Sequence, residues 1–201
     1  MSTLSSALTV CDTLRRHGFM ALFAGGCVRD RLLGRSPKDY DVATNATPEE
    51  VRALFPRIVP VGLSFGVVKV LQDGEEIDVV TFRRDGAYQD GRHPDSVAYA
   101  APREDAMRRD FTINALFLDP ATDQVLDFTG GLEDLRNQVI RCVGNPRERF
   151  LEDRLRLLRA IRFASALNFR IVPETWDALK QVTAEEGLQG VSAERIREEL
   201  D

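Results

Sequence analysis

Asp39 and Asp41, two aspartates separated by a single residue, are the side chains with the clearest potential for chemistry. They fall in a strand-like run at residues 39–44, and residues i and i+2 of a β-strand point to the same face. Two carboxylates held side by side repel each other unless a cation lies between them. Mg²⁺ is the natural candidate, because it prefers carboxylate oxygens and leaves coordination positions open for phosphates. An isolated Asp-x-Asp is more typical of two solvated charges on an edge strand, so the pair alone does not establish a metal site.

A glycine pair upstream, Gly25-Gly26, favours the metal interpretation. The apolar run at residues 19–24 predicts a buried strand, and a helix is expected to begin near Cys27. A strand followed by a glycine turn and a helix start points free backbone N–H groups outward, which suits a phosphate. Arg29 would lie in the first helical turn, where a cation is unfavourable for the helix dipole. A ligand role is therefore expected for it.

A third carboxylate, Asp78, lies among β-branched apolar residues in a predicted strand at 76–82. A charge in such a strand usually has a partner or a metal. Two further strands are predicted at 57–61 and 65–71, and Asp73-Gly74 is a strong hairpin signal. Asp78 thus becomes a candidate member of the same site.

The polar stretch at residues 83–94 (RRDGAYQDGRHP) contains two glycines and few apolar residues. It predicts a mobile loop, and loops of this length are either functional or plain exposed surface. His93 lies in this stretch, but a lone histidine before a proline gives no basis for a catalytic role.

The remaining elements follow from apolar periodicity and from capping residues. Helices are predicted at residues 3–17, from Thr47 onward, and at 103–109, 129–137, 146–150, 152–167, 173–183 and 192–201, with strands at 125–128 and at 140–143, the last of them closing the sheet. The apolar run at 110–118 is compatible with a helix or a strand. The arginine-rich helix at 152–167 is typical of a solvated face.

Composition indicates a globular protein, because 43% of the 201 residues are apolar and 29% are charged. No run of about 18 apolar residues occurs, which excludes a membrane span, and the N-terminus lacks the pattern of a signal peptide. Cys11, Cys27 and Cys142 are odd in number and widely spaced, so the expected location is the reducing cytoplasm. The net charge of −5 argues against indiscriminate nucleic-acid binding but permits a local basic cleft.

Seven motifs follow one another over about residues 20–170: GGCVRDRLLG, PKDYDVAT, EIDVVTF, DGAYQDGRHPDSV, RRDFTINAL, DFTGGLEDL and FLEDRLRLLRAIRF. Together they resemble the class II tRNA nucleotidyltransferase and bacterial poly(A) polymerase family. The resemblance implies an α+β nucleotidyltransferase fold, a small mixed sheet flanked by helices, as a head domain over residues 1–145. A helical, nucleotide-selecting neck would follow at 146–201. Family members continue into a body and a tail, so the chain is expected to be cut short.

The resemblance also assigns roles to the residues of the head. Asp39 and Asp41 would hold two Mg²⁺ ions, one activating the 3′-hydroxyl of the RNA and one binding the nucleotide triphosphate. Asp78 would be a third catalytic carboxylate on the adjacent strand. The triphosphate would be held by the glycine turn and two arginines, namely Gly25, Gly26, Arg29 and Arg109. Phosphoryl transfer needs chiefly positioning and charge neutralisation, which this set could supply.

In the neck, the resemblance makes Asp153 and Arg156 an amino-acid template for the incoming base. They lie three apart and would share one helix face. A carboxylate accepts from the exocyclic amine of C or A, and an arginine donates to ring acceptors. The family also places nucleotide contacts at Arg159 and Arg162. Nine residues at about 100° each would turn Arg162 away from Asp153, so a phosphate, RNA or structural role is expected for it.

Three activities share these motifs: complete CCA addition, partial CC- or A-addition, and polyadenylation. CC-adding members lack the loop that residues 83–94 supply here, and the stretch VGLSFGV at 61–67 is closer to the tRNA-specific type. The stretch KDYDVATNATPEEV is also common among the polymerases. The resemblance therefore favours an enzyme that adds CCA from CTP and ATP to the tRNA 3′ end, without a membrane or an obligate protein partner. The alternatives are an A-adding enzyme or poly(A) polymerase, and a truncated nucleotide- or RNA-binding module.

Overall fold

The structure is a computed structural model that describes residues 2–59, 66–85 and 97–200. The described residues form the helices α1 Thr3–Arg16, α2 Gly26–Leu32, α3 Pro48–Leu54, α4 Pro102–Met107, α5 Gly131–Arg136, α6 Pro146–Glu152, α7 Leu155–Leu167, α8 Pro173–Glu185 and α9 Ala193–Leu200. They also form the strands β1 Ala21–Ala24, β2 Asp41–Thr44, β3 Ile58–Val59, β4 Val67–Gln72, β5 Glu75–Thr81, β6 Arg83–Asp85, β7 Val97–Tyr99, β8 Leu116–Asp119, β9 Gln124–Asp127, β10 Val139–Ile140 and β11 Arg170–Ile171. None of these helices has the length and apolar character needed to traverse a bilayer.

A seven-stranded mixed sheet forms the centre of the fold, with strand order β3-β4-β5-β2-β1-β8-β9. The pair β2 and β5 is parallel, and the other neighbouring strands are antiparallel. α1 packs its buried residues against one face of this sheet, where they join the largest apolar core. The expectation of an α+β fold with a small mixed sheet flanked by helices is confirmed.

Local capping and turn residues act as the sequence predicts. Thr47 caps α3 and forms a reciprocal capping box with Glu50, while Pro48 occupies the first turn. Asp73 and Gly74 both have positive φ, 51° and 85°, as a two-residue hairpin between β4 and β5 requires. The run at 110–118, left open between helix and strand, contains a short 3₁₀ turn and then β8.

Three predictions about the strands need correction. The predicted strand at 39–44 begins only at Asp41, because Asp41 is the first residue that pairs with both β1 and β5, while Asp39 precedes it in an exposed segment. Residues 140–143 do not close the sheet, since Ile140 pairs with β11 in a separate two-stranded sheet. Part of the predicted loop at 83–94 is strand β6, which pairs with β7.

The rest of that loop, residues 86–94 with His93, lies outside the described residues, as do residues 60–65 within the predicted strands and the VGLSFGV stretch.

The break between the predicted helices at 146–150 and 152–167 lies two residues later than expected, at Asp153, because α6 continues through Glu152 and α7 begins at Leu155. Asp153 is extended, with φ −148° and ψ 105°, and its Oδ1 accepts from the backbone N–H of Leu155 at 3.1 Å. A new helix, α7, therefore begins after the break. Its apolar residues and those of α8 form a second core, which also includes Phe111 and Ile140 from the preceding part of the chain. The division into a head at 1–145 and a neck at 146–201 stays a prediction.

Candidate active site

One large cavity, of about 1090 Å³, opens between the central sheet and helix α7. All eleven residues that the sequence analysis singled out line it: Gly25, Gly26, Arg29, Asp39, Asp41, Asp78, Arg109, Asp153, Arg156, Arg159 and Arg162. The structure thus brings together side chains from β2, β5, the glycine turn and α7. Their roles stay predictions.

Three aspartates form the acidic part of the cavity. Asp41 is the strand partner of Asp78 across the parallel pair β2 and β5, and Asp39 stands two residues before Asp41. Burial and the charge of Asp78 raise the pKa of Asp41 to about 6. Arg109 and Lys69 oppose this shift without removing it. The fold therefore holds Asp41 where its ionisation costs more free energy than it would in water.

This acidic cluster fits a divalent cation that shares its coordination with a substrate. A cation beside Asp39 and Asp41 would remove the repulsion that raises the pKa of Asp41. In the part of the chain that the structure describes, no group of three or more His, Cys, Asp or Glu side chains could hold a metal ion unaided. Mg²⁺ typically binds through one or two carboxylates together with substrate phosphates, so two aspartates match that habit.

Lys69 is a cation that the sequence analysis did not assign to the site. Its Nζ lies 2.9 Å from Asp78 Oδ1 and 3.2 Å from Glu76 Oε2. The Lys69 ammonium occupies one side of the Asp78 carboxylate and partly neutralises its charge. Asp39 and Asp41, by contrast, have no ion pair with any other described residue. Asp39 and Asp41 therefore stay the predicted metal ligands.

The glycine turn lets an arginine approach the backbone closely. Gly25 has φ 71°, and a Cβ there would lie 3.0 Å from Arg109 Nη1. Arg109 is held in turn by Asp105, which is buried and accepts from it at 3.1 Å and from Arg108 at 2.7 Å. Burial alone would raise the pKa of Asp105, but the charges of Arg109 and Arg108 hold it below its usual value. Asp105 therefore aims Arg109 into the cavity.

A hydrogen-bond network joins the arginines of α2 and α7. Arg29 donates to Asn114 Oδ1 at 2.7 Å, and Asn114 Nδ2 donates to Asp110 Oδ1 at 3.2 Å. Arg159 donates twice to Asp110 Oδ2, at 2.9 and 2.7 Å. Asp110 is only 9% exposed, so these donors satisfy a carboxylate that burial would otherwise penalise. The network fixes both arginines at the edge of the cavity.

Phe163 gives the same arginines a common surface. The guanidinium carbons of Arg29, Arg159 and Arg162 lie 5.1, 5.1 and 4.5 Å from its ring centroid. Cations over an aromatic face are stabilised by the ring quadrupole. Three positive charges therefore converge at this part of the cavity, separate from the aspartates of β2 and β5.

Asp153 and Arg156 are close to each other but do not share a helix face, because Asp153 lies in the break before α7. Arg195 of α9 holds Asp153 through Oδ2 at 2.8 Å, and Glu152 holds Arg156 at 2.7 Å. The angular count from Asp153 to Arg162 does not apply, because Asp153 lies outside α7, and Arg162 lines the same cavity as Asp153. The phosphate, RNA or structural role expected for Arg162 stays a prediction. Glu199 forms an ion pair with Arg162, with 2.6 Å between Oε2 and Nε.

Several residues of the site were missed in the sequence. Five of them contact or orient the predicted residues, namely Lys69, Asp105, Phe163, Arg195 and Glu199. Lys69 had a usable signal, because it is a lone charge in an apolar strand whose hairpin register is set by the turn at 73–74. The others act through contacts between residues distant in sequence, for which the sequence carries no local signal.

Comparison with known proteins places this geometry among nucleotidyltransferases. Residues 21–141 match the family described as Poly A polymerase head domain. The CCA-adding enzyme of Lactobacillus helveticus (strain DPC 4571) is 47% identical over 195 residues, which is 96% of this chain and 48% of the relative. The CCA-adding enzyme of Bacillus stearothermophilus in complex with CTP superposes with a TM-score of 0.87 at 40% identity, covering 100% of this chain and 48% of that one.

A further similar structure is a tRNA nucleotidyltransferase complexed with a primer tRNA and an incoming ATP analog. It superposes with a TM-score of 0.78 at 31% identity and covers 95% of this chain and 54% of its own. The chain spans about half the length of the curated relatives it matches.

Proposed function

The chain belongs to the Poly A polymerase head domain family, and from this premise we propose that it adds nucleotides to the 3′ end of tRNA, completing CCA from CTP and ATP. The observation that supports this most strongly is the cavity in which an acidic cluster around Asp41 faces the arginines around Phe163. A triphosphate needs cations, and its transfer to a hydroxyl needs a metal site beside them. The proposal is supported by similar structures, one in complex with CTP and one with a primer tRNA and an incoming ATP analog.

Asp39 and Asp41 are proposed to hold Mg²⁺, in a family that depends on divalent metals in general. When bound, the ions supply charge neutralisation at the attacking and leaving oxygens of an in-line displacement. The triphosphate is bound and oriented by the glycine turn and two arginines, namely Gly25, Gly26, Arg29 and Arg109. Asp78, held by Lys69, is the nearest remaining carboxylate for the proton of the 3′-hydroxyl.

Asp153 and Arg156 are proposed to read the incoming base. Both are fixed by ion pairs, Asp153 with Arg195 and Arg156 with Glu152, so little side-chain freedom is lost when a base binds. Arg159 and Arg162 complete the cationic wall beside them. We place the activity in the cytoplasm, where the three buried free cysteines would stay reduced.

The activity is tested by incubating the protein with Mg²⁺, all four nucleotides and a tRNA that ends before CCA, and sequencing the 3′ ends. We expect CCA. A lone A or an A-tail would instead assign the A-adding or poly(A) alternative, and CC a partial addition. Bound CTP without any incorporation at high RNA concentration would reduce the protein to a binding module and contradict the proposal.

Arg156→Ala is expected to weaken the choice of base. The variant keeps the metal site and the phosphate contacts but loses a guanidinium that donates to ring acceptors. Each such contact carries about 1–3 kcal/mol of discrimination, so incorporation of UTP or GTP relative to CTP should rise roughly tenfold or more. The measurement is kcat/KM for each nucleotide. Unchanged selectivity would refute the base-reading role, and Arg170→Ala, an exposed arginine outside the cavity, is the control.

A further inference from the structure

A second cavity, of about 320 Å³, adjoins the reaction cavity. It is formed by residues of β6, α4 and α6 and the residue after α4, namely Arg84, Arg103, Glu104, Met107, Arg108 and Arg149. Arg108 lines both cavities, so the two are contiguous. Four of the six lining residues are arginines and one is acidic, in a chain whose acidic residues outnumber its basic ones by 32 to 27. This local excess of positive charge indicates an anionic partner.

Two of these arginines, Arg108 and Arg149, are paired with acidic residues, and the other two, Arg84 and Arg103, are unpaired among the described residues. Arg108 is held by Asp105 at 2.7 Å, and Arg149 lies 2.9 Å from Glu152. The side chains of Arg84 and Arg103 are exposed and make no ion pair or hydrogen bond with the described residues. Their charges are therefore uncompensated within the described residues and available to a ligand, while the two paired arginines give the surface a fixed frame.

We propose that Arg84, Arg103, Arg108 and Arg149, called the arginine surface below, bind the backbone phosphates of the single-stranded RNA segment that leads to the reacting 3′ end. The proposal rests on the proposed function, since that function places the 3′-hydroxyl in the adjoining cavity. Each nucleotide upstream of that hydroxyl brings one phosphate, and a strand that leaves the cavity past Arg108 would lie along this surface, because Arg108 lines both cavities.

The chemistry of the surface fits a single strand. Guanidinium groups bind phosphate oxygens bidentately, without selecting a base. Met107, 45% exposed among the arginines, offers an adaptable apolar contact to a sugar or a base face. A positively charged groove with such contacts follows a strand of any sequence. An enzyme acting on the same 3′ end of many RNAs needs that tolerance.

The test measures binding of a fluorescein-labelled RNA hairpin with an unpaired 3′ end, by anisotropy over a range of salt concentrations and without nucleotide. Arg84→Gln with Arg103→Gln should weaken binding about tenfold at low salt. Because each phosphate contact to single-stranded RNA contributes about 0.7 to the log–log salt slope, the slope should fall by about 1.4. CTP binding should not change, since neither residue lines the reaction cavity.

Two further variants keep the result interpretable. Arg84→Lys with Arg103→Lys retains the charges and should retain most of the salt slope. Arg52→Gln with Arg136→Gln removes the same charge from exposed arginines outside both cavities and should leave RNA binding unchanged. Equal weakening by the two glutamine pairs would assign the effect to net charge and overturn the proposal.

Other outcomes of the binding test also decide whether the arginine surface binds RNA. Unchanged RNA affinity of Arg84→Gln with Arg103→Gln would overturn the arginine surface, even if the wild type adds nucleotides as proposed. A polyglutamate peptide that depends on the surface while RNA does not would assign it to an acidic protein segment. Absence of RNA binding by the wild type would overturn this inference and the proposed function together, whereas RNA binding without transfer would count against the proposed function alone.

Discussion

Asp41→Asn is expected to lower the rate of nucleotide transfer about a thousandfold while leaving the fold intact. The substitution keeps the size and shape of the side chain but removes one of the two carboxylate charges proposed to hold Mg²⁺. Metal-ion catalysis supplies several kcal/mol of charge stabilisation in the transition state, and about 4 kcal/mol corresponds to this factor. The measurement is single-turnover incorporation of CTP with saturating RNA and Mg²⁺.

Although Asp41→Asn should lower the rate of transfer, it should raise the stability of the metal-free protein. Burial and Asp78 raise the pKa of Asp41 to about 6, from an ordinary value of 3.8. A raised folded-state pKa means that the contribution of Asp41 to stability is fully present below about pH 4 and is lost as the pH rises through 6. At pH 7 to 8, without metal, Asp41→Asn should therefore be more stable than the wild type by about 1–3 kcal/mol.

The effect of added Mg²⁺ on stability distinguishes the loss of a metal ligand from the mere loss of a buried charge. It should raise the unfolding temperature of the wild type and leave that of Asp41→Asn unchanged, because a ligand stabilises only the state that binds it. Asp12→Asn, at an exposed position on α1, is the matched control and should behave like the wild type. An Asp41→Asn protein that transfers nucleotides at the normal rate would refute the metal assignment.

The acidic part of the site was predictable because strand periodicity and hairpin register are local. Asp78 is recognisable as a charge in an apolar strand, and the two-residue turn at Asp73 and Gly74 fixes Lys69 opposite it. That register could have been counted from the sequence. The position of Asp39 just outside the strand could not be counted in this way, because it depends on where β1 and β5 end beside β2.

The neck was less predictable, because long-range contacts decide its geometry. The run around Asp153 has no glycine or proline, so helix propensity favours a continuous helix. The break is instead stabilised by the side chain of Asp153, which accepts from Leu155 and pairs with Arg195 42 residues later. Tertiary contacts override local propensity here, and an angular count from Asp153 to Arg162 along one helix therefore does not apply.

Asp110→Asn is expected to destabilise the protein by about 2–4 kcal/mol, which lowers the unfolding temperature by roughly 10 °C. The carboxylate is buried and accepts four hydrogen bonds, two of them from Arg159. Asparagine removes the charge that the guanidinium faces and leaves that cation only partly compensated by Glu199. The same loss should raise the KM for CTP and ATP, because Arg159 and Arg29 are positioned through Asp110.

The pH dependence has a definite sign. Burial would raise the pKa of Asp110, but the charge and hydrogen bonds of Arg159 hold it below its ordinary value of 3.8. A lowered folded-state pKa contributes stability above about pH 4, and this contribution is lost as the pH falls through the folded-state value. The difference in unfolding free energy between wild type and Asp110→Asn should therefore be full at pH 7 and shrink below pH 4.

The matched control is Asp177→Asn, which breaks an ion pair with Lys180 at the surface, where the two side chains are 71% and 58% exposed. It should cost less than about 1 kcal/mol, because exposed pairs contribute little. The double variant Asp110→Asn with Arg159→Gln should recover part of the loss, since it no longer leaves a half-buried cation facing an uncharged amide. Chemical denaturation of the four proteins measures these differences, and a loss at Asp110 no larger than that at Asp177 would show that the buried network does not hold the arginines in place.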